Sequence, residues 1–88
     1  MVLAEGFYDG NWENGERSGF GTYLDFRTNE YIGLWKNNMR NGKGHQEFQN
    51  GDVYKGEYLN DKKHGEGLME WTDKSSYNGT WRKGKIDG

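Results

Sequence analysis

The groups able to do chemistry in this 88-residue chain are two histidines, 14 carboxylates, 12 Lys and Arg cations and a set of paired glycines. His45 and His64 stand 19 residues apart on outward positions. With no cysteine anywhere, a thiolate zinc site has no ligands to draw on. Glu66 and Glu70 share one face of a segment, but nothing around them desolvates a carboxyl as a general acid requires. They read as solvated partners of cations, with Lys55 expected beside Glu66 in a surface pair worth ~0 to 1 kcal/mol. The pairs Gly19-Phe20-Gly21, Gly42-Lys43-Gly44 and Gly65-Glu66-Gly67 look like phosphate cradles, yet nucleotide fingerprints sit at a strand-to-helix turn and these lie inside strands. No nucleophile, base and orienting group recur together. The expectation is a non-enzyme with no catalytic residue, no metal site and no cofactor. The sequon Asn78-Gly79-Thr80 is a by-product of a recurring phrase and is expected to stay unmodified.

The elements that must carry these residues follow from that phrase. It occurs at a constant interval of 23 residues: Tyr8-Asp9-Gly10-Asn11-Trp12, Tyr31-Ile32-Gly33-Leu34-Trp35, Tyr54-Lys55-Gly56-Glu57-Tyr58 and Tyr77-Asn78-Gly79-Thr80-Trp81. Such strict self-similarity indicates a stacked array. Within each phrase the aromatic and glycine positions alternate with polar ones, and period two means strand. The Gly-x-Gly half alternates likewise, and Gly88 falls where a fourth pair begins. Asn14-Gly15, Asn37-Asn38, Asn60-Asp61 and Lys83-Gly84 mark two-residue hairpin turns. On that basis Tyr8 is expected opposite Gly21, Gly10 opposite Gly19 and Trp12 opposite Arg17, so that large rings face bare backbone. Trp35 with Arg40 and Tyr58 with Lys63 repeat the aromatic-cation match, a cation-π contact of ~0.5 to 1 kcal/mol where exposed. The return connection must contain an odd number of residues, and Gln49-Asn50-Gly51 fits a three-residue loop with Gly51 left-handed. In the first unit Asp25-Phe26-Arg27-Thr28 breaks this pattern, so a local bulge or altered loop is expected there.

The fold expected is therefore all-β, an elongated single meandering antiparallel sheet of 23-residue β-hairpin repeats. One domain spans 1-88, with repeats at approximately 8-30, 31-53, 54-76 and 77-88 (partial), and 1-7 as the end of a preceding unit. One face carries a structural aromatic ladder of Tyr8, Trp12, Tyr31, Trp35, Tyr54, Tyr58, Tyr77 and Trp81. The structural glycines are Gly10, Gly19, Gly21, Gly33, Gly42, Gly44, Gly56, Gly65, Gly67 and Gly79. Composition agrees: at 31% hydrophobic residues and a mean hydropathy of -1.26, only the aromatics, 16% of the chain, supply enough burial.

The unit Tyr-x-Gly-x-Trp/Tyr-x-x-Gly/Asn/Asp followed by Gly-x-Gly resembles the MORN repeat, the membrane occupation and recognition nexus family. The resemblance covers residues 7 to 88. It implies a twisted array of hairpins stacking aromatics along a spine. It also implies work as a scaffold, since such arrays occur in ciliary radial-spoke components, junctional membrane proteins and cytoskeletal proteins, and beside lipid-kinase or SET methyltransferase domains.

Surface residues suggest what such a scaffold meets. On the outward face Phe20, Leu24, Ile32 and Leu34 are expected to form one apolar cluster, a site for a partner or for self-association unless an upstream segment covers it. The hairpin-turn row is net basic through Lys36, Arg40, Lys62, Lys63, Arg82, Lys83 and Lys85, and the opposite row is net acidic. Anionic lipid would favour each cation near a membrane by ~1 kcal/mol. With net charge -2, scattered turn charge is the preferred reading and nucleic acid is not expected as a partner. The expected function is a non-catalytic scaffold or protein-protein interaction module in a larger cytoskeletal or ciliary (axonemal) assembly, located intracellularly in cytoplasm, cytoskeleton or cilium. The alternatives are a peripheral phospholipid-binding module, or a regulatory segment attached to an enzyme domain outside this stretch.

Overall fold

Alternation punctuated by two kinds of turn folds the chain back on itself seven times. The computed structural model describes residues 2–87, so the expectations for Met1 and Gly88 lie outside the described residues. The strands are β1 (Gly6–Glu13), β2 (Glu16–Asp25), β3 (Glu30–Lys36), β4 (Met39–Glu47), β5 (Val53–Leu59), β6 (Lys62–Glu70), β7 (Ser76–Arg82) and β8 (Lys85–Ile86). Each pairs antiparallel with the next in chain order, giving one open sheet of 38 × 23 × 16 Å.

Both turn types follow from local chemistry. At Asn14-Gly15, Asn37-Asn38, Asn60-Asp61 and Lys83-Gly84 both residues have positive φ, the type I′ conformation whose twist matches the flanking strands. The return loops are three residues long. Around 49–51, the Phe48 N–H donates to Asp52 O at 2.9 Å and the Gly51 N–H to Phe48 O at 2.9 Å, with Gly51 left-handed. The first unit does not depart from this, contrary to the sequence expectation. The Asp25 N–H donates to Asn29 O and the Thr28 N–H to Asp25 O, each at 3.0 Å, and Thr28 takes the left-handed place at φ 68°. Asp25 holds the loop without glycine: its carboxylate accepts from the Arg27 and Asn29 N–H groups and from Asn29 Nδ2, each at 2.9 Å.

The register within hairpins differs from the expected one by two residues. Trp12 does face Arg17, but Gly10 pairs with Gly21 and Tyr8 with Tyr23, because β2 carries two extra residues between Arg17 and Gly21. The same irregularity recurs between Gly33 and Trp35 and between Gly56 and Tyr58. Its hinge is the first glycine of each Gly-x-Gly pair: Gly19, Gly42 and Gly65 have φ of 79°, 93° and 75°, where a Cβ is disfavoured. A shift of two restores alternation beyond the bulge, so the rings stay on their expected face, while the Gly19, Gly42 and Gly65 positions turn towards the outward side chains of Asn11, Leu34 and Glu57. One consequence is a transverse row of glycines running Gly10, Gly21, Gly33, Gly44, Gly56, Gly67, Gly79 from strand to strand.

The core lies on one side of this sheet. Tyr8, Tyr31, Trp35, Tyr54, Tyr58, Met69 and Trp81 are buried, with Gln46 the buried polar residue among those described. The rings need the bare row, because a Cβ on Gly21, Gly44 or Gly67 would overlap the phenol of Tyr8, Tyr31 or Tyr54.

Candidate interaction surfaces

On the buried face the eight ladder residues make an unbroken series of edge-to-face contacts: Trp12, Tyr8, Trp35, Tyr31, Tyr58, Tyr54, Trp81, Tyr77. Successive centroids are 5.0 to 5.5 Å apart and interplanar angles run from 78° to 90°. The rings' quadrupoles favour this arrangement over flat stacking. Trp12, at the array's edge, remains 39% exposed.

The polar ends of the rings are also used. Each phrase tyrosine donates its hydroxyl to the carbonyl three residues on: Tyr8 to Asn11 (2.8 Å), Tyr31 to Leu34 (2.9 Å), Tyr54 to Glu57 (2.9 Å) and Tyr77 to Thr80 (3.0 Å). In the first three units these carbonyls lie at the bulge, where the ladder is interrupted, so the hydroxyl satisfies an acceptor there. Burial pushes Tyr31 and Tyr54 up to about 12 and drives Tyr58 upward as well. Trp35 and Trp81 donate Nε1–H to Gly21 O and Gly67 O at 3.2 Å. Tyr58, standing where they have tryptophan, instead donates to Gln46 Oε1 at 2.8 Å, and Arg40 Nη1 donates to the same oxygen at 2.7 Å.

Cations line this face differently from the expected cross-strand stacking. Arg17 lies over Trp35 of the following unit (4.6 Å), Arg40 over Tyr58 (4.8 Å) and Lys63 over Trp81 (5.6 Å). The reason is the bulge glycine. Gly19, Gly42 and Gly65 sit opposite Trp35, Tyr58 and Trp81 and leave those rings open to the cation two residues earlier. Arg17 and Arg40 also clasp the next hairpin turn. Asn38 donates its N–H to Arg17 O, accepts at Oδ1 from the Arg17 backbone N–H and Nε–H, and accepts at its carbonyl from Nη2. Asp61 repeats every contact with Arg40, adding a 3.1 Å ion pair. Arg40 and Lys63 therefore do not join the lipid-facing row that their place in sequence suggested, and burial lowers the Lys63 pKa. Lys36, Lys62, Arg82, Lys83 and Lys85 stay exposed at the turns. A concave site of about 240 Å³ opens around Tyr23, Tyr31 and Trp35, bounded by Arg17, Arg40 and Asp25.

The opposite face holds the apolar patch. Phe20 pairs with Leu34 and Thr22 with Ile32, as their spacing indicated, and Phe20, Leu24, Ile32 and Leu34 are all exposed. The patch is larger than the sequence suggested. Phe7 pairs with Leu24, Phe26 meets Phe7 edge-to-face at 5.5 Å, and Val2 bridges back onto Phe7. Alternation through Phe7-Tyr8 could have revealed the first; Phe26 joins only because its loop keeps the common geometry. Lys55 reaches Glu70 at 3.8 Å rather than Glu66, since the bulge moves its partner strand by two. Among the described residues no three His, Cys, Asp or Glu side chains converge to hold a metal ion.

Compared with known protein families, the chain matches the MORN repeat over residues 8–25, 31–53, 54–76 and 77–88. Comparison with curated proteins finds no significant match.

Proposed function

Because this chain belongs to the MORN repeat family, we propose that it is a non-catalytic scaffold, a stiff β ribbon that holds protein partners within a larger cytoskeletal or ciliary assembly. Family membership supports the broader reading of an interaction module that meets proteins or membranes. The observation that carries the scaffold reading is the double locking of successive units. Rings interleave across every unit boundary, and the turn clasps repeat at Arg17–Asn38 and Arg40–Asp61. A ribbon locked this way presents its concave site and its outer patch at set separations, which is what spacing partners requires.

The second reading is contact with anionic lipid, favoured by the five exposed turn cations. Liposome co-sedimentation separates the two. The scaffold expectation is no phosphoinositide-dependent pelleting. Pelleting that rises with phosphoinositide content, and disappears in high salt or on reversing Lys62, Lys83 and Lys85 to Glu, would replace the protein reading with the lipid one. Proximity labelling from this protein in cells tests the assembly: enrichment of cytoskeletal or axonemal proteins is expected, and diffuse cytosolic labelling would overturn it.

A further inference from the structure

Arg17, Arg40 and Lys63 hold the same place in successive units, each over a ring of the next, but they are not offered the same acceptors. Arg40 is well served. Asp61 Oδ1 accepts from its backbone N–H and Nε–H, the Asp61 carbonyl from Nη2 and Gln46 Oε1 from Nη1. One unit on, Lys63 finds Gly84 in the place of Asp61 and Met69 in the place of Gln46. Gly84 still donates its N–H to Lys63 O at 2.9 Å, yet it has no side-chain oxygen to offer in return, and the Met69 thioether is a weak acceptor. Among the described residues nothing hydrogen-bonds or ion-pairs with the Lys63 ammonium. Three rings hold it instead, with Nζ 5.2 Å from the centroid of Phe48, 5.5 Å from that of Tyr54 and 5.6 Å from that of Trp81. Their faces favour a cation but supply no lone pair to its three N–H donors.

We propose that Lys63 anchors a carboxylate of the protein partner that the scaffold reading requires, a glutamate or aspartate side chain whose oxygens take the ammonium's hydrogen bonds while its stem lies against Phe48 and Met69; the proposal rests on that reading. Charge supports it. The ammonium is half-buried, and burial and the nearby Arg40 charge both depress its pKa, so an anion beside it relieves an existing penalty. Hydrogen bonds between two ionised groups are also the strong kind. Shape supports it too. Lys63 lines an opening together with Phe48, Met69, Asn29, Gln49 and Asn50. Asp52, the carboxylate on the rim, is already committed, accepting from the Thr72 N–H and from Asn50 Nδ2 at 3.0 Å each. The opening faces solvent widely, so it seats one side chain projecting from a larger partner rather than enclosing a small ligand, whose sites bury most of the ligand's surface.

Titrating the isotope-labelled 88-residue chain with N-acetyl-glutamate methylamide, followed by NMR, reads this directly. Saturable shifts of the Lys63 ε-methylene and Phe48 ring signals are expected at millimolar probe, and the glutamine counterpart should bind at least about 10-fold more weakly, as a lost hydrogen bond to a charged group implies. Lys63→Met keeps the stem and should weaken binding, read at Phe48, by a similar factor. Gly84→Asp guards against simple loss of folding. Asp61 already takes the same left-handed backbone, φ 71° against 83°, and a Cβ on Gly84 meets nothing within 4 Å. The new carboxylate gives Lys63 the acceptor that Arg40 has, and should displace the probe at least about 10-fold while the spectrum stays dispersed. Octanoate should bind within about 10-fold of butyrate; a larger gain, towards the roughly 200-fold that burying four more methylenes gives, makes the ligand a fatty acid and overturns the side-chain assignment. Equal response to the glutamine probe, or binding indifferent to Lys63→Met or to Gly84→Asp, overturns the proposal. Such a failure leaves the protein-partner reading standing, because the liposome and labelling outcomes decide that reading and turn on other residues.

Discussion

A tyrosine hydroxyl does two jobs in the first three units: it satisfies a carbonyl at the bulge and fills the space over a glycine. Both can be tested one residue at a time. Gly44→Ala forces a Cβ into the Tyr31 phenol and should cost about 3 kcal/mol in urea denaturation, the upper range of overpacking. Titration tests the same groups from the proton side. Tyr31 and Tyr54 keep their protons in the fold up to about 12, whereas the unfolded chain loses them near 10. Stability is therefore complete below pH 10. It declines as pH rises towards 12, by about 1.4 kcal/mol per pH unit for each tyrosine. Tyrosinate absorbance and loss of sheet signal should appear together in one alkaline transition, and Tyr31→Phe should make stability fall less steeply with pH. The glycines show how much of this was legible. Period two placed the rings and the second glycine of each pair on their observed face, but the bulge was not readable, and it turns Gly19, Gly42 and Gly65 towards the outward side chains of Asn11, Leu34 and Glu57. An extra two residues restore the same alternation on either side of the bulge, and a glycine's sequence does not disclose its φ. The cation partners were misassigned for the same reason, since only the bulge bares Trp35 to Arg17.

At the scale of the hairpin, loops and facing strands constrain one another. Thr28 occupies a left-handed place that Gly51 fills without strain, and Asp25 compensates with its carboxylate. Thr28→Gly should therefore raise stability by about 0.5 to 1 kcal/mol, read as a higher denaturation midpoint at unchanged slope. Loop length was legible because face parity demanded an odd connection. The conformation of the first loop was not, because an aspartate can supply by hydrogen bonding what glycine supplies by freedom. A second coupling lies between Gln46 and Tyr58. Gln46→Met strands the Tyr58 hydroxyl and should cost about 1 to 3 kcal/mol. Adding Tyr58→Trp reproduces the Met69 and Trp81 combination already present between the last units, and should recover much of the loss in a double-mutant cycle.

Over the whole molecule, stability is the sum of unit and boundary contributions, because strands pair only with their neighbours in sequence and the ring ladder bridges only adjacent units. Trp35 bridges the first two units through Tyr8, Tyr23 and Tyr31. Trp35→Ala should destabilise that boundary by about 3 to 5 kcal/mol. Hydrogen exchange should show β1 to β3 losing protection while β5 to β7 keep most of theirs; uniform loss would mean the array unfolds as one block. The architecture at this scale was the most legible feature, because the 23-residue period repeats turn, ring and glycine together. Which surface a partner uses was less so, since the outer patch gathers Phe7 and Phe26 from segments whose meeting depends on register and loop form.

The odd period also has a genealogical consequence. Because one even turn and one odd loop return the chain to the same face after every hairpin, whole units can be duplicated or deleted without inverting anything downstream. Each such event lengthens or shortens the ribbon by two strand spacings, about 9.5 Å. The distance between two bound objects can thus evolve in discrete steps, as marks on a measuring rod, while the cross-section that grips them is inherited unchanged.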